Sequence, residues 1–142
     1  MAKKVKANCR LFGRESAKER FCALSFQLVD SMAFQHLSHA GMRVLVLLKR
    51  RFNGVNNGDI CLSCRDVAKA CPMSRNTAGR AFQELQQKGF ITQTRLGYFA
   101  NGGNVASAWK LNTDKNKGEN RPSNEWKKWK VGDNFLENPP QD

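Results

Sequence analysis

The sequence predicts an α+β fold that is mainly helical and carries a small β-hairpin. Two segments, 40–52 and 75–88, place their apolar residues at helical spacing. Two shorter segments, 90–96 and 105–111, have strand character and are joined by a glycine-rich loop. A further short helix is expected between the two long ones. These elements together define a small helical domain with one hairpin at its end.

The length of 142 residues fits one domain with polar ends. The folded part is predicted at 21–112. Residues 1–20 form a basic arm, in which seven basic and two acidic residues leave a net charge of +5. Residues 113–142 form a polar C-terminal tail with no useful helical or strand period.

The charge balance points to a polyanionic partner. The chain has 24 Lys and Arg against 12 Asp and Glu, which gives a net charge of +12. No apolar run is long enough to span a bilayer, and the N-terminus lacks the apolar stretch of a secretory signal. A cytoplasmic protein with no membrane partner is therefore expected, and five cysteines, an odd number, fit reduced thiols.

The first helices precede a turn-rich loop. A short helix is expected near 25–33. In segment 40–52 the apolar residues recur at helical spacing, and three basic residues in its last turn suit the negative end of the helix dipole. Asn53 and Gly54 then end the helix.

The middle of the chain predicts two helices joined by a tight turn. A short strand at 60–62 is followed by Ser63 and Asp66, a pair spaced like a capping box at the start of a helix at 64–70. Pro72 prevents continuation of this helix, and Ser74 caps the next one. The helix at 75–88 carries a buried stripe of Ala78, Ala81, Phe82 and Leu85, with Gly89 as its stop.

Helix, turn, helix and hairpin in this order are the layout of a winged helix-turn-helix. The wing is the predicted hairpin formed by 90–96, 105–111 and the loop between them. Because the buried stripe begins at Ala78, the first turn of the second helix stays exposed and presents donors and acceptors suited to DNA. We expect base contacts from Arg75, Asn76, Thr77 and Arg80. We expect further DNA contacts from Ser63, Arg65, Ser74, Arg95, Tyr98 and Lys110, and from Lys3, Lys4 and Lys6 of the arm.

The same residues carry a resemblance to the DNA-binding domain of GntR-type transcription regulators. The matching positions are Leu62-Ser63, Asp66-Val67-Ala68, the run from Met73 to Ala78, Ala81, Leu85, Gly89 and Ile91. The resemblance implies DNA contact by Ser63, Arg65, Ser74, Arg75 and Thr77, with Ala78, Ala81 and Leu85 in the core. The chain departs from the family at Gly79, where an arginine is common, and has Arg80 one place later, about 100° round the helix.

The resemblance covers about 50 residues and leaves no room for the ligand-sensing domain of GntR regulators. The chain looks more like the small stand-alone winged-helix proteins of phages, plasmids and integrating elements, which include repressors, replication initiators and excision factors. The expected function is sequence-specific binding of double-stranded DNA, in transcription regulation or in plasmid or phage maintenance. A homodimer is a further expectation, because many winged helices bind palindromes.

Three further features of the sequence bear on other functions. Cys61, Cys64 and Cys71 resemble part of a zinc site, but a fourth ligand is missing nearby, so no metal and no other cofactor is expected. No phosphate loop or catalytic arrangement was found, so an enzyme is not expected. Trp126 and Trp129 either fold back on the domain, dock a protein partner or stack on single-stranded bases. The docking interpretation gives a second function, a protein-binding adaptor or inhibitor that uses the basic surface and this tryptophan pair.

Overall fold

A computed structural model describes residues 20–141. In chain order the elements are α1 (Phe26–Val29), α2 (Met32–Gln35), α3 (His39–Arg51), β1 (Ile60–Cys61), α4 (Cys64–Ala70), α5 (Arg75–Gln87), β2 (Ile91–Arg95), β3 (Tyr98–Ala100), β4 (Gly103–Val105), β5 (Ala108–Leu111) and a 3-10 helix (Glu125–Lys128). The fold is α+β, as predicted, and has the order of a winged helix.

Serine caps set the starts of the helices. Ser25, Ser31 and Ser38 each accept a hydrogen bond from a backbone N–H of the first turn of α1, α2 and α3. The single helix expected near 25–33 is therefore two short helices, because Ser31 caps a new start immediately after Asp30 ends the first one. The long helix predicted at 40–52 is present as α3, one residue earlier at each end.

The helix-turn-helix forms as the caps predict. Ser63 and Asp66 make a complete capping box at the start of α4, and Ser74 caps α5. Gly89 follows α5 with a φ of +78°, the left-handed conformation that glycine adopts at least cost. The predicted buried stripe of α5 is observed, with Ala78, Ala81, Phe82 and Leu85 all in the core.

The sheet is more divided than the sequence indicates. One antiparallel sheet has the strand order β1-β5-β2, and β3 pairs with β4 in a separate two-stranded hairpin beyond it. The strand expected at 105–111 is thus two strands, and the loop expected at 97–104 contains β3. Gly97, between β2 and β3, lets the chain pass close to the end of β4, because a Cβ at this position would lie 3.0 Å from the Val105 carbonyl oxygen.

One core unites the helices, the sheet and the C-terminal segment. α3 packs on α5, α5 packs on α4, and the sheet closes over them. The fully buried large side chains include Leu28, Leu45, Leu48, Ile60, Leu62, Leu85, Phe90, Ile91 and Leu111. Within residues 20–141, no helix is long and apolar enough to cross a membrane.

Candidate nucleic-acid interface

A groove of 750 Å³ lies between the helices α4 and α5 on one side and the strands β2 and β5 with the base of the β3–β4 hairpin on the other. Its floor is a stacked pair of rings, Phe82 of α5 and Trp109 of β5, whose centroids are 4.6 Å apart with an angle of 7° between their planes. The Trp109 indole N–H donates to the Leu62 carbonyl at 2.9 Å, which fixes the floor to the start of α4. The groove is therefore a concave surface between the second helix of the motif and the wing.

The packing of α5 decides which of its residues face this groove. Since the buried stripe points to the core, the side facing the wing carries Arg75, Gly79, Gln83 and Gln86, which all line the groove. Asn76 and Arg80 lie on the outward side, next to this row, and are exposed. The N-terminal half of α5 thus presents a continuous polar surface from the groove to its outward side.

Three arginines on this surface have uncompensated charge. Arg65, Arg75 and Arg80 are exposed, and none of them forms an ion pair with another part of the chain that the structure describes. Arg65 lies in the first turn of α4, and both Arg65 and Arg75 line the groove. Their charges are available to an anion without breaking an internal contact.

Acidic residues are scarce around the groove. Between positions 67 and 113 the chain has a single acidic residue, Glu84. Glu84 does not line the groove, because its carboxylate bonds Ser38 at the start of α3 and lies 3.3 Å from the Lys88 ammonium. Among residues 20–141, Asp66 is the one acidic residue in the groove lining, and its carboxylate is engaged by Ser63. The groove and the outward side of α5 are therefore electropositive.

Four of the predicted site residues lie together at the groove. Ser63, Arg65, Arg75 and Arg95 line the groove, while Ser74, Asn76, Thr77, Arg80 and Tyr98 are exposed outside its lining, on α5, its cap and the wing. Lys3, Lys4 and Lys6 lie outside the described residues.

Two of the predicted DNA-contact residues, Lys110 and Arg95, interact with acidic residues of the protein itself. Lys110 lies partly buried 3.7 Å from Glu119, and it alternates along β5 with Trp109, so it points away from the groove. Arg95 is at the groove, but its guanidinium pairs with Asp59 at 3.5 Å and donates to the Cys61 sulfur at 3.4 Å. Neighbouring side chains of a strand point to opposite faces, and this rule could have shown from the sequence that Lys110 points away from the face of Trp109.

The two predicted serines act first as helix caps. The Ser63 hydroxyl accepts from the Asp66 N–H at 3.1 Å and donates to its carboxylate at 2.8 Å. The Ser74 hydroxyl accepts from the Thr77 N–H at 3.1 Å and lies 2.9 Å from the Thr77 hydroxyl. Both serines therefore orient their helices, and the arginines beside them carry the free charge.

Sequence reasoning missed the amide groups of the groove. Gln83, Gln86, Gln93 and Asn104 all line it. Gln83 follows Arg75 by eight residues, which is close to two helical turns and places both on one side of α5. Glutamine and asparagine amides pair with adenine in the DNA major groove. Of the four, Gln83 is the exposed residue on α5.

The tryptophan pair of the C-terminal segment is buried. Trp126 is 4% exposed and Trp129 is 7% exposed, and the Trp126 ring stacks on Phe90 at 6.3 Å. The Trp129 indole donates to the Asp133 carbonyl at 3.0 Å, and the Lys88 ammonium lies 4.9 Å from its ring centre. The indoles fold back on the domain. Docking and base stacking both need exposed rings, so burial removes the surface that those interpretations require.

The cysteines are separate thiols. Cys61 is buried, and Cys64 and Cys71 are partly buried. Burial raises the pKa of the Cys64 thiol, which lines the groove, so this group is a neutral thiol at physiological pH. Within residues 20–141, no three His, Cys, Asp or Glu side chains are grouped so that they could hold a metal ion.

A comparison with known families agrees with this geometry. Residues 35–91 match a family described as a helix-turn-helix domain. The match begins in α2 and ends at the first residue of β2, so it contains α3, α4 and α5. It supports a helix-turn-helix domain and, with it, DNA binding. No curated protein and no solved structure matches the chain.

Proposed function

We propose that this protein binds double-stranded DNA in a sequence-specific manner, with α5 in the major groove. The observation that carries the proposal is the set of exposed arginines, Arg65, Arg75 and Arg80, which form no ion pair with the described residues. An α-helix with its side chains is about 10–12 Å across. The DNA major groove is about 12 Å wide, so α5 fits it with its exposed side chains at the base edges.

The residues divide into two roles. Arg75, Asn76 and Arg80 are the base readers. They are joined by Thr77 in the first turn of α5 and by Gln83, about one turn after Arg80. Arginine pairs with guanine, and the amides pair with adenine. Arg65 and the N-terminal turns of α4 and α5, which Ser63 and Ser74 cap, face the phosphates. Lys3, Lys4 and Lys6 add contacts to the DNA backbone in this proposal.

The biological setting follows from the resemblance to GntR-type domains. We infer a role in transcription regulation or in plasmid or phage maintenance, in which the winged-helix domain binds its site as two copies. The distance between half-sites would then be about 34–36 Å, or one helical turn of DNA. The mass of the purified protein–DNA complex measures the number of copies directly.

Selection of binding sites from a random-sequence duplex pool tests the proposal. The full chain is expected to enrich one motif and to bind it in physiological salt, whereas unselected duplex binds weakly and loses affinity as salt rises. Replacing Arg75 with alanine (R75A) is expected to cost about 1–3 kcal/mol of discrimination at one position of that motif.

The matched control is R121A. Arg121 is an exposed arginine after β5 that does not line the groove, so its removal changes the net charge equally and leaves the motif intact. An R75A variant that enriches the wild-type motif with unchanged preference contradicts the assignment of α5 as the reading helix. Equal, weak binding of all duplexes by the wild type contradicts sequence-specific binding as a whole.

A further inference from the structure

The far end of the wing exposes three large apolar side chains within four residues. Leu96 is 73% exposed, Tyr98 is 55% exposed and Phe99 is 82% exposed. Tyr98 and Phe99 are neighbours along β3, so their rings lie on opposite faces of the hairpin, and Phe99 is the more exposed of the two. Phe99 has no hydrogen-bonding group, so its contact with a partner would be made by the faces and edges of the ring alone.

The β3–β4 hairpin places this surface beside the proposed DNA site. Gly97 and Val105, at the base of the hairpin, line the groove, and so does Asn104. Asn104 is the cross-strand partner of Phe99, so the two side chains share one face of the hairpin. Phe99 therefore projects from the face that also borders the groove.

The composition of the wing favours a nucleic-acid partner. No acidic residue occurs between positions 85 and 113, so the hairpin carries no charge that would repel phosphates. In the turn after Phe99, Ala100 to Gly103, the largest side chain is that of Asn101, and a Cβ at Gly102 or Gly103 would meet nothing within 4 Å. A narrow tip without acidic groups suits the minor groove of DNA, which is about 6 Å wide.

We propose that Phe99 acts as a wedge that enters the minor groove beside the α5 site, partly unstacks two base pairs and bends the duplex. This inference rests on the proposed DNA-binding function and adds an architectural activity to it. Apolar side chains inserted between base steps kink DNA, and the cost of unstacking is offset by a larger contact surface. The preferred substrate is a duplex with a flexible pyrimidine–purine step next to the bases that α5 reads.

End-labelled duplexes measure this activity. Two duplexes of equal length carry the selected motif and a dye at each end, and one of them has two adjacent mismatched pairs at the expected wedge position. Wild-type protein is expected to raise energy transfer between the ends of the intact duplex. It is also expected to bind the mismatched duplex about tenfold more tightly, because the mismatch is already partly unstacked.

The variants separate the wedge from other causes. F99A is expected to bind the intact duplex without raising energy transfer and to lose the preference for the mismatch. F26A is the matched control, because Phe26 is 87% exposed on α1 and does not line the groove, and it should behave as wild type.

The possible failures are distinguishable. Wild-type binding without bending, or an F99A variant that bends DNA as wild type does, overturns the wedge and leaves the DNA-binding function in place. If no duplex binds to the wild type at all, then both the wedge and the proposed function fail.

Discussion

Glu84, in the middle of α5, holds the start of α3 through Ser38. One carboxylate oxygen accepts the Ser38 backbone N–H at 2.9 Å, and the other bonds the Ser38 hydroxyl. The same hydroxyl accepts from the Gly41 N–H at 3.0 Å, so it caps α3 at the same time. The proposed reading helix is thus attached to the core by a charged hydrogen bond as well as by its apolar stripe.

Removal of this carboxylate is expected to destabilise the domain. E84A leaves the Ser38 N–H without its partner, and charged hydrogen bonds are worth about 1.5–3 kcal/mol. Urea unfolding should show a decrease of about this size in the free energy of unfolding. A double-mutant cycle with S38A gives the coupling energy between the Ser38 hydroxyl and the carboxylate, and a value near zero would contradict that side-chain contact.

Gly79 has a different role from the other residues of α5. A helical glycine costs about 0.5–1 kcal/mol relative to alanine, yet a Cβ at Gly79 would meet only the Cys64 sulfur, at 3.8 Å. Packing therefore does not require this glycine. Under the proposed function, this position in the groove lining would let a DNA strand approach the helix backbone.

The variant G79A is expected to change stability and DNA binding in opposite directions. The free energy of unfolding should rise by about 0.5–1 kcal/mol. Affinity for the selected duplex should fall about tenfold, because the added methyl group occupies the space of the strand. Urea unfolding and fluorescence anisotropy measure the two effects. A more stable variant that binds DNA as well as wild type would show that no group approaches Gly79.

Much of the fold follows from local signals in the sequence. The Ser63–Asp66 box, the Ser74 cap and Gly89 define α4 and α5, because each acts within one helical turn. The hairpin β3–β4 was not predicted, because its pairing depends on the close approach of Gly97 to Val105 across the chain. Such a contact leaves no periodic pattern in the sequence.

The candidate site was predicted in part for the same reason. Residue types and helical spacing identify Arg75, Asn76 and Arg80 as exposed. They do not show that Arg95 is held by Asp59, or that Gln93 faces the same groove as Gln83, since these relations join separate elements. The burial of Trp126 likewise depends on Phe90, which lies 36 positions earlier.

Arg65 and Lys110 are expected to differ in their effect on the salt dependence of DNA binding. Arg65 is exposed at the groove without an ion pair among the residues described, whereas Lys110 lies 3.7 Å from Glu119 on the opposite side of the sheet. R65A should weaken binding to all sequences and reduce the slope of log affinity against log salt by about 1. K110A should leave that slope unchanged. Anisotropy titrations over a salt series compare the two variants. A slope that K110A reduces as much as R65A does would place Lys110 at the DNA.

Trp126 is expected to be necessary for the stability of the whole domain. Its ring fills the space over Phe90, and the segment that carries it continues to Phe135, whose backbone N–H donates to the Gln87 carbonyl at the end of α5. Truncation of a buried Trp to alanine costs about 3–5 kcal/mol. A domain of this kind has only about 5–15 kcal/mol in total. W126A should therefore lower the unfolding midpoint strongly, and deletion of 113–142 should unfold the protein.

K128A, at an exposed lysine of the same 3-10 helix, is the control and should leave the midpoint near that of wild type. A deletion variant that stays folded and binds DNA would show that the segment is dispensable for the fold, and would return the tryptophan pair to the role of a docking site.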